Sequence, residues 1–362
     1  MTTSALASRI ARFIDRCADG ARDDATRDGL LEELALEQAV HVEPYRRYLT
    51  GEKRRPRAFA LPALPTDVFR FARVASHPPQ LDLRTFRTSG TTAQARGEHA
   101  FCDLTLYERA ARNAASHALF PETSRLRLCI MAPNEHEAPD SSLSFMLGRM
   151  IDWFGTEHSA HVWREGALRT EQLCSTLEAA QARREPIALL GTSFAFVHAE
   201  DALGERRFQL PPGSRIMQTG GFKGRSRSIE PAEMLALLHA RYGIPHSHIV
   251  QEYGMTELSS QMYDAPLLNQ DPESPRRFWV PGWVRAEPID PLTLEPTVGD
   301  TPGLLRIDDL ANLGSVCAIQ TSDLAQRCEG GIVLLGRAPG AVARGCSLAV
   351  EEWLDGHAHG AA

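Results

Sequence analysis

The sequence predicts an α/β fold: a mainly parallel sheet flanked by helices, followed by a small antiparallel β-subdomain. Short apolar runs alternate with helical stretches from residue 86 onward, the pattern of strand–helix–strand units. Apolar segments then recur after residue 304 with no helix between them. A chain of 362 residues, 43% hydrophobic, is also long enough for two or three domains or for one large α/β body with subdomains.

Taken in order, residues 4–18 place Leu6, Ile10, Phe13 and Ile14 at helical spacing, and a second helical stretch runs over about 27–40. Gly51-Glu52-Lys53-Arg54-Arg55-Pro56 is basic and turn-prone, and Leu61-Pro62-Ala63-Leu64-Pro65 holds too many prolines for a helix. Residues 127–132, 187–191, 215–218 and 249–251 read as buried strands, with helices over 105–119, 170–183 and 230–242. Frequent prolines make 271–302 read as loops. Strands over 304–307, 316–320 and 331–335 form the expected antiparallel subdomain. Residues 1–60 therefore read as a helical N-terminal extension, 61–335 as the α/β core, and 336–362 as a short hinge and C-terminal tail.

Composition excludes several classes. The net charge is −7 with no basic stripe, so nucleic acid is not an expected partner. The longest apolar runs fall far short of the ~20 residues of a spanning helix, so no membrane insertion is expected. The first apolar stretch is broken by Arg9, Arg12, Asp15 and Arg16 and does not read as a signal peptide. The seven cysteines form no C-x-x-C pair, which argues against a disulfide framework or structural zinc and makes a reducing cytoplasm the expected location. Lys53 and Lys223 are the only lysines in an arginine-rich chain.

Two motifs carry chemistry. Thr88, Ser89, Gly90, Thr91 and Thr92 end a predicted strand with one glycine and four hydroxyls. Glycine lets backbone approach an anion, and hydroxyls and amides donate to phosphate oxygens. It is not a G-x-x-x-x-G-K-[ST] loop, and taken alone it is equally an ordinary polar turn. Gln251-Glu252-Tyr253-Gly254-Met255-Thr256-Glu257 leads from a strand into a glycine turn. Tyr253 can stack on a base, Thr256 can hold a phosphate, and Glu257 can hold Mg²⁺, which prefers oxygen ligands. Alone, this too is a surface turn with a solvated acid.

Together the two motifs resemble the signature pair of the adenylate-forming superfamily of acyl-CoA synthetases, luciferases and adenylation domains. Thr321-Ser322-Asp323 resembles that family's T-G-D, with Ser322 in place of glycine, and Gly336-Arg337 resembles its G-R near the hinge. The stretches Leu64-Pro65-Thr66-Asp67-Val68-Phe69, 86–92, Gly220-Gly221-Phe222-Lys223-Gly224-Arg225 and 336–348 look like the LuxE-type acyl-protein synthetases of bacterial bioluminescence, over about 61–354. The resemblance implies the large N-terminal-type domain of adenylate-forming enzymes, ATP and Mg²⁺ as cofactors, and a fatty acid as substrate. It implies that Asp323 holds the ribose hydroxyls, that Gly220 and Gly221 line the nucleotide pocket, and that Arg337 marks the hinge. It also implies that Cys346 takes the acyl group before an acyl-accepting protein, a reductase or a carrier protein, receives it.

The residues themselves support Cys346 in part. A thiolate is a strong nucleophile, its thioester keeps the acyl group activated, and the nearby Arg344 can lower its proton affinity. The alternative is a structural cysteine at a strand edge, and Cys328, between Arg327 and Glu329, is the one competitor. Full-length superfamily members carry about a hundred further residues after the hinge, including a lysine that contacts the acyl phosphate. The sequence runs from Cys346 only to Ala362, so that lysine is expected to be absent. Lys223 is a candidate substitute that can stabilise charge on the α-phosphate, and equally a solvated surface lysine.

His158 and His161 have ligand spacing on a helix but no third ligand, and read as structural. His246 and His248, just before a predicted strand, either reach the site or cap and pack. Cys346 is incidental if the acyl group goes directly to coenzyme A or a carrier-protein thiol. In the third reading the chain is a nucleotide-binding scaffold without catalysis.

Overall fold

The structure, a computed structural model, describes residues 2–51, 57–88, 96–122, 125–220, 230–264, 267 and 276–338. Helices α1 (Thr2–Arg16), α2 (Asp24–His41) and α3 (Glu43–Gly51) come first, then β1 (Leu64–Pro65) and the single turn α4 (Val68–Phe71). Strands β2 (Arg84–Arg87) and β3 (Glu98–Phe101) form a hairpin, followed by α5 (Thr105–Ala118). The alternating region contains β4 (Arg127–Met131), α6 (Ser142–Phe154), β5 (Ala160–His161), β6 (Trp163–Arg164), β7 (Ala167–Leu168), α7 (Thr170–Arg183), β8 (Ile187–Thr192) and α8 (Ser193–Leu203). It continues through β9 (Arg215–Thr219), α9 (Pro231–Tyr242), β10 (Ile249–Tyr253) and β11 (Met262–Tyr263). Strands β12 (Val284–Ile289), β13 (Gly303–Asp309), β14 (Ala318–Cys328) and β15 (Gly331–Arg337) close the described chain. These elements fall into two compact units, one within 1–113, 255–260 and 277–362, the other within 114–254 and 261–276.

The second unit is a six-stranded sheet in the order β11-β10-β9-β8-β4-β5, parallel except at β11. Leu128, Ile130, Leu189, Leu190, Ile216, Met217, Ile249 and Val250 are all fully buried, which is why these strands read as continuous apolar runs rather than alternating ones. Leu173 and Leu177 of α7, Phe196 and Ala199 of α8, and Met234 and Leu238 of α9 cluster with Cys129, Leu189, Ile216 and Ile249. The chain runs from β4 to β5, then returns to β8 on the other side of β4. The carboxyl ends of β4 and β8 are therefore a topological switch point, where open parallel sheets place their ligands.

Helices α6 and α8 occupy stretches that the sequence expectation left without an element. Their starts are nonetheless written locally: Ser141 Oγ accepts from Ser144 N at 3.1 Å, and Thr192 Oγ1 accepts from Ala195 N at 3.1 Å. His158 and His161 do not share a helix, which corrects the sequence expectation. His158 lies in an exposed turn and His161 on β5, its Nδ1 bonded to Ala132 O at 2.9 Å. His246 and His248 form a short 3-10 turn at the amino end of β10, opposite to Tyr253.

In the first unit β14 is the hub. It pairs antiparallel with β13 and β15 and parallel with β1. Strand β12 corrects the expectation that 271–302 is all loop. It carries Pro288, tolerated because β12 ends the order β1-β14-β13-β12 and an edge strand can do without one N–H. The amino-terminal helices belong to this unit. Gln38 of α2 donates to Asn312 O at 2.8 Å and accepts from Cys317 N at 2.8 Å, and Tyr45 of α3 donates to Pro62 O at 2.8 Å.

Arg241 shows what one buried charge does in the second unit. It is 1% exposed, donates through Nε to Glu200 Oε2 at 2.6 Å and through Nη2 to Gly204 O at 2.9 Å, and so fastens α9 to the end of α8. Truncation leaves Glu200 and the Gly204 carbonyl without their partner. Arg241→Ala is expected to cost about 3 kcal/mol in denaturant unfolding, and a loss within 0.5 kcal/mol of zero would show that solvent replaces the pair.

Candidate active site

Thr88, the first residue of the first motif, stands at the end of the β2–β3 hairpin. Thr88 follows β2 directly and Gly97 precedes β3. Thr88 N donates to Gly97 O at 2.9 Å, and Gly97 N donates to Thr88 Oγ1 at 2.8 Å. Arg96 Nε adds a bond to Thr88 O at 2.6 Å. The base of the hydroxyl-rich loop is thus closed by the loop's own first hydroxyl. Ser89, Gly90, Thr91 and Thr92 lie outside the described residues.

Beside this base lies the second half of the other motif. Residues 255–260 of the first unit form no regular strand or helix, so their backbone groups need other partners. His99 Nδ1, on β3, donates to Thr256 O at 2.8 Å, and Asn312 Nδ2 donates to Glu257 O at 2.8 Å. Asp309 Oδ2 accepts from Ser259 N at 3.0 Å and Ser260 N at 2.8 Å, while its Oδ1 accepts from Ser260 Oγ at 2.7 Å and Ala311 N at 2.9 Å. The Glu257 side chain is 7% exposed. A Cβ added to Gly97 would stand 3.5 Å from Glu257 Oε1 and 3.0 Å from the Thr88 methyl, so glycine here keeps a cradle open between hairpin and carboxylate.

Asp323 and Arg337 face each other across β14 and β15, with Arg337 Nε 3.6 Å from Asp323 Oδ1. Asp323 N also bonds Thr321 Oγ1 at 3.1 Å. The carboxylate is mostly covered and the guanidinium mostly exposed, the arrangement of an acid held ready by a surface cation.

The second unit holds Gly220, Tyr253 and Gly254 at the carboxyl ends of β9 and β10. Gly220 takes φ +74°, which favours glycine, and its carbonyl accepts from Ser193 Oγ at 2.9 Å. Ser193 Oγ also lies 3.1 Å from Gln218 Oε1. Thr219 Oγ1 donates to the buried carboxyl of Glu252. Gly221 and Lys223 lie outside the described residues, as does Cys346.

Among the described residues no group of three or more His, Cys, Asp or Glu could hold a metal ion. Mg²⁺ commonly uses one or two protein carboxylates and completes its shell with water and phosphate oxygens. Glu257, beside the open cradle at Gly97, fits that donor set.

A sequence model of the acyl-protein synthetase LuxE family matches residues 18–355. The chain belongs to the LuxE family. No curated protein matches it. Among solved structures, ATP-bound MatB from Rhodopseudomonas palustris is similar at 14% identity with a TM-score of 0.51, over 70% of this chain and 47% of that one. The chain therefore spans about half the length of MatB. A 2-hydroxyisobutyryl-CoA ligase in complex with 2-HIB-AMP and CoA is similar at 14% identity with a TM-score of 0.60, over 87% of this chain and 68% of that one. The same ligase in its postadenylation state gives 13% identity and a TM-score of 0.60. At these identities the likeness shows a shared fold, that of adenylate-forming ligases.

In this LuxE-family chain, Cys17, Cys129, Cys174 and Cys317 are buried, Cys102 is exposed and Cys328 is half-buried. Burial raises the thiols of Cys17, Cys102, Cys129, Cys317 and Cys328, with Cys129 pushed up to about 12. Burial keeps the Cys328 thiol up, with Arg277 opposing it, and the neighbouring Arg327 pairs with Glu287. His99, Asp309 and Asn312 escaped the sequence reading. The only local signal was the paired acid Asp308-Asp309 closing an apolar run.

His99 is 1% exposed, packs 4.1 Å from the Phe101 ring, and is pushed down to about 4, chiefly by burial. Its ordinary value is 6.5, so the stability drawn from a neutral ring is present above 6.5 and is lost as pH falls through 4. His99→Phe is expected to lose about 1 kcal/mol at pH 7 with the hydrogen bond to Thr256. Denaturant melts should show that deficit shrinking by pH 5, and a constant or widening gap would contradict this role.

Proposed function

We propose that this chain activates a carboxylic acid with ATP as an acyl-adenylate, then takes the acyl group onto its own Cys346 and passes it to an acceptor protein. The observation that carries the first half is the Glu257 carboxylate beside the glycine-opened hairpin base at Thr88 and Gly97. Membership of the acyl-protein synthetase family supports the second half and suggests a fatty acid as substrate, with a reductase or carrier protein as acceptor.

In this reading Thr88, Ser89, Gly90, Thr91 and Thr92 hold the phosphates of ATP. Gly220, Gly221, Tyr253 and Gly254 take the base, Thr256 contacts a phosphate, and Asp323, oriented by Arg337, binds the ribose hydroxyls. Glu257 holds Mg²⁺, which when bound supplies positive charge against the phosphates. A carboxylate oxygen of the acid attacks the α-phosphorus, the bond to the pyrophosphate oxygen breaks, and the acyl group remains joined to AMP. Lys223 stabilises charge on the α-phosphate as it develops. The Cys346 thiolate then attacks the acyl carbon, the carbon–oxygen bond to AMP breaks, and a thioester forms. Lys223 and Cys346 rest on sequence and family resemblance.

Two measurements test this. Glu257→Gln is expected to lower ATP–pyrophosphate exchange about a hundredfold across a panel of carboxylic acids, while an unchanged rate removes Glu257 from the reaction. Incubation with ATP and labelled acid should place label on the protein that hydroxylamine releases. Cys346→Ser should abolish the labile label or convert it to a hydroxylamine-stable oxygen ester. Unchanged labile labelling overturns the Cys346 assignment, and undiminished acyl-CoA formation by the serine variant supports direct transfer to coenzyme A instead.

A further inference from the structure

One carboxyl group in the second unit lies between Thr219, which precedes the Gly220 turn, and Gly254. Glu252 is the penultimate residue of β10, in register with Thr219 of β9 and Tyr263 of β11, and is 4% exposed. Its Oε2 accepts from Thr219 Oγ1, one residue before the positive-φ turn at Gly220. A Cβ added to Gly254 would stand only 2.5 Å from its Oε1 and 3.6 Å from Gln261 Cγ, so the carboxyl lies directly against the Gly254 backbone. Ser193 Oγ holds the Gly220 carbonyl from the start of α8, and the Glu252 side chain links Thr219, just before that turn, to Gly254.

We propose that Glu252 is a positioning residue for ATP: wedged between Thr219 and Gly254, its carboxyl sets the spacing of the two turns that hold the nucleotide. The proposal rests on the adenylation reading of this end of the sheet.

The surroundings make the wedge sensitive to charge. Thr219 faces Glu252 from β9, Tyr263 and Gln261 stand on the β11 side, and Gln251 and Tyr253 flank it on β10. Burial pushes Glu252 up to about 7, opposed by the Thr219 hydrogen bond, and among the described residues no charged side chain enters the balance. Below that value the neutral acid can share its proton with Thr219 and presents no charge to Gly254. Above it, a negative charge lies against the Gly254 backbone, beside a ligand that is itself a polyanion. ATP binding is therefore expected to weaken as pH rises through neutrality.

The test is calorimetric titration of the full chain with ATP and magnesium from pH 6.5 to 8.5. The dissociation constant of the natural protein should rise about tenfold across that range. Glu252→Gln keeps the shape without the charge and should hold the low-pH affinity throughout. Thr219→Val removes the bond that favours ionisation and should move the inflection to higher pH, a shift that a purely structural role does not produce. This second variant decides the matter if the glutamine variant does not fold. A flat profile in the natural protein, an undiminished slope in Glu252→Gln, or an unmoved inflection in Thr219→Val overturns the proposal. Absence of ATP binding at every pH overturns the nucleotide reading itself, and with it the role of Glu252.

Discussion

Residues 255–260 have no regular structure of their own, and the site depends on what holds them. Three side chains set their course. His99 takes the carbonyl of Thr256, Asn312 takes the carbonyl of Glu257, and Asp309 collects the amides of Ser259 and Ser260. An unpaired buried backbone group costs about 1–3 kcal/mol, so each partner excludes many alternative paths for the segment. Only one of these partners is an acid. The carboxyl of Asp309 is fully buried, yet four donors surround it, which is the condition under which a buried acid can be kept. Trp283 Nε1 donates to Ser260 Oγ at 3.0 Å and extends the same network into the core of the first unit.

The second unit reaches its functional end by another route. Its parallel strands supply an apolar platform, and several polar groups at its carboxyl edge come from a strand's last residues. Thr192, Thr219 and Glu252 end or nearly end β8, β9 and β10 in consecutive register. Thr192 is used up as the cap of α8, and Ser193 then turns back to hold Gly220. The helix start and the glycine turn are therefore one construction. The side chains that initiate α8 also decide where the next strand's loop begins.

Much of this was legible in the sequence, and the failures have physical causes. The four central parallel strands declared themselves because two-sided burial writes a continuous apolar run, and helix α7 because Leu173, Leu177 and Ala180 recur at helical spacing on its buried face. Helices α6 and α8 were missed, although α6 buries Phe145, Met146 and Met150 on one face and turns Arg149 and Asp152 outward. Strand β12 hid behind Pro288, whose tolerance at a sheet edge cannot be known before the order of strands is. In the site, Thr88, Gly254, Glu257 and Asp323 stood out as motif residues. His99 and Asn312 did not, because their partners are 157 and 55 positions away along the chain, and no local pattern announces a bond that only the fold creates. Gly97 lay in plain sight, but its use as an open cradle follows from the placement of Glu257.

The motif around Tyr253 contains two glutamates whose environments assign them different work. Glu252 is enclosed by Thr219, Gly254 and the strand partners, and burial favours its neutral form. Glu257 is also buried, but its Oε1 lies close to Gly97 beside Thr88, the place where the proposed reading puts a cation and phosphate oxygens. In the proposed reading two carboxyl groups in such different environments serve charge and shape independently: one meets the metal, the other spaces the turns without adding a negative charge beside the nucleotide. In the proposed reading, exchanging their environments would damage both roles, since a charged wedge would repel ATP and a neutral acid beside Gly97 would hold Mg²⁺ poorly. The sequence spells both residues with the same letter, and only their burial and neighbours separate the two roles.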